Sequence, residues 1–206
     1  MEERTLLFLA RHGQTSFNQE GRIQGQTDVP LDEEGLRQAQ ALASFARRAG
    51  ISVVYASDLQ RALNTARACA ESCGLLVHAR RDLRERDFGD LEGKTPAELG
   101  QSLSEFMTYS REQEDLPLPG GGESYRQLRE RAVQALTSMV STHPAQRVLV
   151  VSHGALLKSA LEWALGLPPG VRGRFLLANA SVSRVEFSRG RPLVLALNDT
   201  CHLDSF

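Results

Sequence analysis

Short apolar runs alternate with helical stripes along most of the chain, and this alternation constrains the fold more than any other feature of the sequence. The clearest run is RVLVVS at 147–152, where four consecutive apolar residues predict a strand buried on both faces, as in a parallel sheet. Parallel neighbours need long crossovers, and the helical stripes between the runs supply them. Strands are predicted at 5–10, 52–56, 75–78 and 147–152, followed by an alternating tail over 175–187 and 194–197 that suits antiparallel or edge strands. Helices are predicted over 32–49, with Asp32 as N-cap, from Ser57 with a Ser57–Gln60 capping box, over 95–110, from Ser124 with a Ser124–Gln127 box, and over 154–165. The 95–110 helix opens on Thr95, Pro96 and Glu98, a capping box with proline at the first helical position. The expected architecture is α/β: a three-layer α/β/α sandwich with a mostly parallel central sheet. The 206 residues read as one domain, 1–206, carrying a helical insertion or cap at about 86–122.

Composition narrows the classes of partner. Lysine plus arginine total 24 against 25 aspartate plus glutamate, so no global field favours nucleic acid or an anionic membrane. Any anion site must be local. Three cysteines, an odd number without zinc-finger spacing, argue against a disulfide framework, and Cys69 and Cys73 fall among the apolar residues of one helical face. The apolar run 6–10 is too short for a secretion signal, and no run is long enough to span a membrane, so a cytoplasmic location is expected.

In open α/β sheets ligands bind beyond the carboxyl ends of the strands. Three predicted strands end there in reactive residues: Arg11-His12-Gly13, Ser57 with Arg61 one turn later, and His153-Gly154. Taken singly, each has a structural reading, a satisfied strand-end histidine or, for Arg61, a solvated side chain. Gathered on one rim, two imidazoles and two guanidiniums concentrate positive charge that an anion the size of phosphate would satisfy. Metal binding by the two histidines is the rival, but guanidiniums beside a cation would repel it. Each histidine is followed by glycine, which suggests a sharp turn and a close approach of backbone to ligand.

These segments resemble a known family in order. Leu9-Ala10-Arg11-His12-Gly13-Gln14-Thr15 is similar to the Arg-His-Gly signature of the histidine phosphatase superfamily, the phosphoglycerate-mutase-like enzymes. Leu31-Asp32-Glu33-Glu34-Gly35 with Gln38-Ala39, Ala56-Ser57-Asp58-Leu59-Gln60-Arg61-Ala62 with Thr65, Leu83-Arg84-Glu85-Arg86-Asp87-Phe88-Gly89 with Glu92, Gly121-Gly122-Glu123-Ser124 and Val151-Ser152-His153-Gly154 resemble its later motifs. The resemblance implies phosphoryl transfer through a phosphohistidine, with no metal and no cofactor. His12 would be the nucleophile, Arg11 and Arg61 would clamp the phosphoryl oxygens, His153 would add a donor, and Glu85 would protonate the leaving group and then activate water. Without the resemblance Glu85 would be read as pairing with Arg84 or Arg86. Asn18, Gln24, Gly25, Thr27, Asn179 and Ala180 match positions that contact phosphate or the rest of the substrate, whereas Glu92 reads as structural and the glycines at 120–122 as a flexible entrance.

The family's primer-dependent mutases carry a lysine after the acid loop and paired arginines for a second acidic group. Here Pro96 stands about where that lysine would be, and Arg111 is the only arginine between 94 and 122. The leading expectation is therefore a phosphomonoesterase of small phosphorylated metabolites, like the broad-specificity or α-ribazole phosphatases, with inorganic phosphate as its product. The alternatives are a phosphoglycerate mutase and a non-catalytic phospho-ligand binding module. No nucleic acid or membrane partner is expected, and a homodimer stays open.

Overall fold

A computed structural model describes residues 4–100, 105 and 113–204. Six strands form one sheet: β1 (Arg4–Arg11), β2 (Val53–Ser57), β3 (Val77–Arg80), β4 (Arg147–Ser152), β5 (Val182–Ser188) and β6 (Arg191–Asp199), in the order β3-β2-β4-β1-β5-β6. The first four in that order run parallel, and β5 lies antiparallel to β1 and to β6. Helices with bounds set among the described residues include α1 (Ser16–Gln19), α2 (Glu33–Arg48), α3 (Gln60–Cys73), α4 (Tyr125–Thr142) and α5 (Gly154–Ala164).

Alternate residues of the two central strands feed two separate cores, which explains why β4 is apolar without interruption. Leu7, Leu9, Val148 and Val150 face Leu128, Ala132, Leu136 and Met139 of α4 and Leu156, Leu157 and Ala160 of α5. Phe8, Ala10, Leu149 and Val151 face Leu42, Ala43 and Ala46 of α2 and Ala62, Ala66 and Ala70 of α3. The three-layer sandwich follows. Cys69 lies in the second core, as its helical face predicted.

Local expectations shift where a distant residue intervenes. β3 occupies 77–80, two residues later than its apolar run suggests. Ser57 is the last residue of β2 and does not cap α3; the helix begins at Gln60, whose N–H donates to Asp28 Oδ1 at 2.7 Å, so the cap comes from 32 residues away. The single turn α1, closed by a Thr15–Asn18 capping box, was not expected from periodicity. Ser124 caps α4 reciprocally with Gln127 as predicted. The Thr95–Glu98 box also forms and a helix starts at 96, but the rest of the predicted helix lies outside the described residues, save 105. The glycines at 120–122 are tied rather than loose. Leu118 and Gly122 exchange both backbone hydrogen bonds, and a Cβ on Gly89 would sit 2.1 Å from Pro119 O.

Candidate active site

The tips of β1, β2 and β4 meet on one rim. At the first, His12 N–H donates to Ser152 O at 2.9 Å, extending the β1–β4 ladder by one residue. The turn beyond is held from three elements: Gly13 N–H donates to Thr65 Oγ1 at 3.1 Å, Gln14 N–H to Gln38 Oε1 at 2.9 Å, and Ala180 N–H to His12 O at 3.1 Å. A Cβ on Gly13 would lie 2.5 Å from Gly35 O, so the α2 start packs directly on this backbone. His12 Nδ1 is 2.7 Å from Gly13 O. A carbonyl only accepts, so Nδ1 carries the proton and Nε2 keeps its lone pair. Burial, then the charges of Arg61 and Arg11, hold this imidazole well below its ordinary pKa, so it is neutral.

His153 ends β4 and precedes α5, with its ring centroid 5.1 Å from that of His12. It is fully buried, and neither ring nitrogen has a hydrogen-bond partner among the described residues. Burial and Arg61, followed by His12 and Arg11, also push its pKa well down. Arg61 is fully buried, which overturns its reading as a solvated side chain; Nη1 donates to Thr27 O at 2.8 Å and Nη2 to Gly25 O at 2.6 Å. Arg11 Nη1 donates to Leu177 O at 2.7 Å. The Nε atoms of both arginines are buried without a partner among the described residues. Burial lowers the pKa of both, with Glu85 opposing the shift.

Glu85 sits against the start of α5. Its Oε1 accepts from the N–H groups of Arg86, Ala155 and Leu156 at 2.9, 3.1 and 3.1 Å, and Oε2 accepts from Ala155 at 3.0 Å. It therefore pairs with neither neighbouring arginine. Arg84 forms a fork with Asp58, 2.7 Å on each arm, and the Arg86 guanidinium lies 4.0 Å from the Tyr125 ring centre. A Cβ on Gly154 would be 3.6 Å from Arg11 Nε and 3.8 Å from Glu85 Oε2, so these two groups border one point beside His153.

The expected substrate contacts turn largely toward one another. Asn18 Oδ1 accepts from Thr15 and from Asn179 Nδ2, and Asn179 Nδ2 also donates to His12 O at 3.1 Å. Ala180 holds a left-handed φ of 54° while its N–H supports His12. Gly25 and Thr27 give their carbonyls to Arg61, and Thr27 gives its N–H and hydroxyl to Glu92 at 2.8 and 2.6 Å. Glu92 also accepts from Gln26 and Phe88 N–H, which makes it the strut of this loop. Gln24 is buried, with Oε1 unpartnered among the described residues. Thr65, Gln38 and Gly35, which hold the His12 turn, had appeared only as motif letters; their contacts cross elements and leave no local signal.

A neutral imidazole with a free Nε2, a second buried imidazole, two inward guanidiniums and a carboxylate thus converge on one rim. This set can receive a phosphoryl group and move a proton to or from an oxygen on it. Among the described residues, no three histidine, cysteine, aspartate or glutamate side chains are grouped to hold a metal ion, and no helix is long and apolar enough to cross a membrane. Residues 7–200 match the family described as the histidine phosphatase superfamily (branch 1). A metal-independent phosphoserine phosphatase of Arabidopsis thaliana is 37% identical over 206 residues, spanning 98% of this chain and 85% of that one. A Klebsiella pneumoniae protein called "Probable phosphoglycerate mutase GpmB" is 40% identical over 208 residues, spanning 97% and 95%. The solved phosphoserine phosphatase of Entamoeba histolytica, in complex with 3-phosphoglyceric acid, superposes with a TM-score of 0.86 at 31% identity, covering 97% of this chain and 99% of that one.

Proposed function

Because the chain belongs to the histidine phosphatase superfamily, branch 1, we propose that it is a phosphomonoesterase of small phosphorylated metabolites that works without a metal through a phosphohistidine on His12. One observation carries the reading: the Nδ1–Gly13 O bond of 2.7 Å, which leaves Nε2 free on the rim where Arg11, Arg61 and His153 gather. In the first step Nε2 attacks phosphorus, the bond to the ester oxygen breaks, and the departing alkoxide takes a proton from the Glu85 carboxyl. Arg11, Arg61 and His153 hold the non-bridging oxygens during transfer, using nitrogen atoms that lack protein partners. In the second step Glu85 takes a proton from water, whose oxygen attacks phosphorus; the N–P bond breaks and inorganic phosphate leaves.

Asn18, Gln24, Gly25, Thr27, Asn179 and Ala180 form the wall of this site. Asn18 and Gln24 offer the substrate their spare amide groups, and the others act by fixing Arg61 and His12. The cap expected at 86–122 lies partly outside the described residues. The metabolite setting is the cytoplasm, in keeping with three cysteines that form no disulfide among the described residues. Phosphoserine and 3-phosphoglycerate head the substrate panel, since the relatives above are named for them.

The second reading, phosphoglycerate mutase, is favoured by the name of the Klebsiella relative. One incubation separates the two: 3-phosphoglycerate with a bisphosphoglycerate primer should yield free phosphate and little 2-phosphoglycerate. Abundant 2-phosphoglycerate with little phosphate would reverse the assignment. Acid-labile label on the protein from a labelled substrate, lost in His12→Gln, is the expected sign of the intermediate.

A further inference from the structure

We propose that Arg131, acting as one unit with Glu123, is the positioning residue for Glu85, an inference that rests on the proton-donor role given above to Glu85. The acid loop has little regular structure to fix it: beyond the turn Arg81–Leu83, Glu85 belongs to no helix or strand. Arg131 projects from α4 and donates to three carbonyls of that loop, Nη1 to Asp82 O at 3.0 Å and Arg84 O at 2.7 Å, and Nη2 to Glu85 O at 3.3 Å. Its remaining edge forms a fork on Glu123, Nε to Oε1 at 2.9 Å and Nη2 to Oε2 at 2.7 Å. Glu123 then grips the other side of Glu85: its N–H donates to Asp87 O at 2.8 Å and its carbonyl accepts from Arg86 Nε at 2.8 Å. Ser152 Oγ adds a bond to Leu83 O at 2.7 Å, tying the loop to the strand that carries His153.

One planar guanidinium thus satisfies carbonyls before and at Glu85, while its carboxylate partner neutralises it and holds the chain after Glu85. A lysine offers one ammonium and cannot reproduce the fork. Displacing a catalytic carboxyl by about 1 Å can cost on the order of 10²-fold in rate.

The test reads leaving-group dependence. Phosphoserine needs a proton on its departing alkoxide, whereas dinitrophenyl phosphate releases a stable anion. For each substrate kcat/KM, which reports the transfer to His12, is measured in wild type, Glu85→Gln, Arg131→Lys and Glu123→Gln. Glu85→Gln should lower the phosphoserine value by about 10²–10⁴-fold and the aryl value far less. Arg131→Lys should lower it by roughly 10-fold or more while the aryl value moves less than about 3-fold, and Glu123→Gln should follow in the same direction. Should Arg131→Lys fail to fold, Glu123→Gln, nearly isosteric, carries the test. A folded variant that lowers both substrates equally, or neither, overturns the positioning role. If Glu85→Gln itself shows no difference between substrates, the proton-donor reading fails and the clamp with it; that failure appears in a protein whose Arg131 is untouched, so the two are told apart.

Discussion

The tips of β1 and β4 lie side by side, paired through Arg11 and Ser152, and each ends in His-Gly, yet the two are built for different work. At the β1 tip the imidazole is fastened through Nδ1 and the following backbone is pinned by Thr65, Gln38 and Ala180. At the β4 tip the imidazole has no hydrogen bond to any described residue, and the backbone after it simply begins a helix. In the proposed mechanism this difference separates a nucleophile, which needs one tautomer and one direction, from a donor whose partner arrives with the substrate. The two glycines differ in the same way. Neither is among the glycines with positive φ, so a left-handed backbone is not what requires glycine at either; Gly13 is demanded by contact with Gly35, and Gly154 has room around it.

Replacing each histidine is the most severe way to challenge this contrast. His12→Gln should cost about 10⁴-fold or more in kcat with every substrate, because no covalent step remains. His153→Gln should cost about 10²–10³-fold, the scale of one lost transition-state donor, and still form the phosphohistidine. Equal losses in the two variants, or a labelled His12→Gln, would break the distinction. Next in size, Gly13→Ala should destabilise the fold by about 1–3 kcal/mol in urea unfolding, since its Cβ meets backbone on a packed turn. Gly154→Ala should change stability by less than about 1 kcal/mol, and helix propensity favours alanine there.

The protonation of both imidazoles gives a further check. Their folded pKa values are depressed, chiefly by burial and then by Arg61, so between those values and about 6.5 the unfolded chain binds more protons than the folded one. Stability should therefore be complete above about pH 6.5 and fall as the pH drops below it. In phosphate-free buffer, melting temperature should decline more steeply on acidification in wild type than in the doubly substituted His12→Gln/His153→Gln protein. Parallel slopes would show that these histidines do not titrate on unfolding.

Much of this could be read along the chain wherever the signal is local. The apolar run of β4, the Asp32 cap of α2 and the Ser124–Gln127 box each express a preference of neighbouring residues for one backbone geometry, and each forms. Arg61 shows the limit. Its place off the apolar stripe suggested water, and only the folded loop at 25–27, propped by Glu92, provides the carbonyls that make burial tolerable. The cap of α3 fails for the same reason, because Asp28 takes over from a distance what Ser57 seemed placed to do.

Period and motif order thus determined the α/β layering and put reactive residues at the strand ends, since side-chain alternation and strand direction are properties of the chain itself. Tertiary structure alone decided which imidazole is fastened and which waits, what Glu85 leans on, and why Arg131 matters. Those outcomes depend on backbone amides and carbonyls brought together from distant elements, and every residue type carries such groups, so they leave no trace in residue identity.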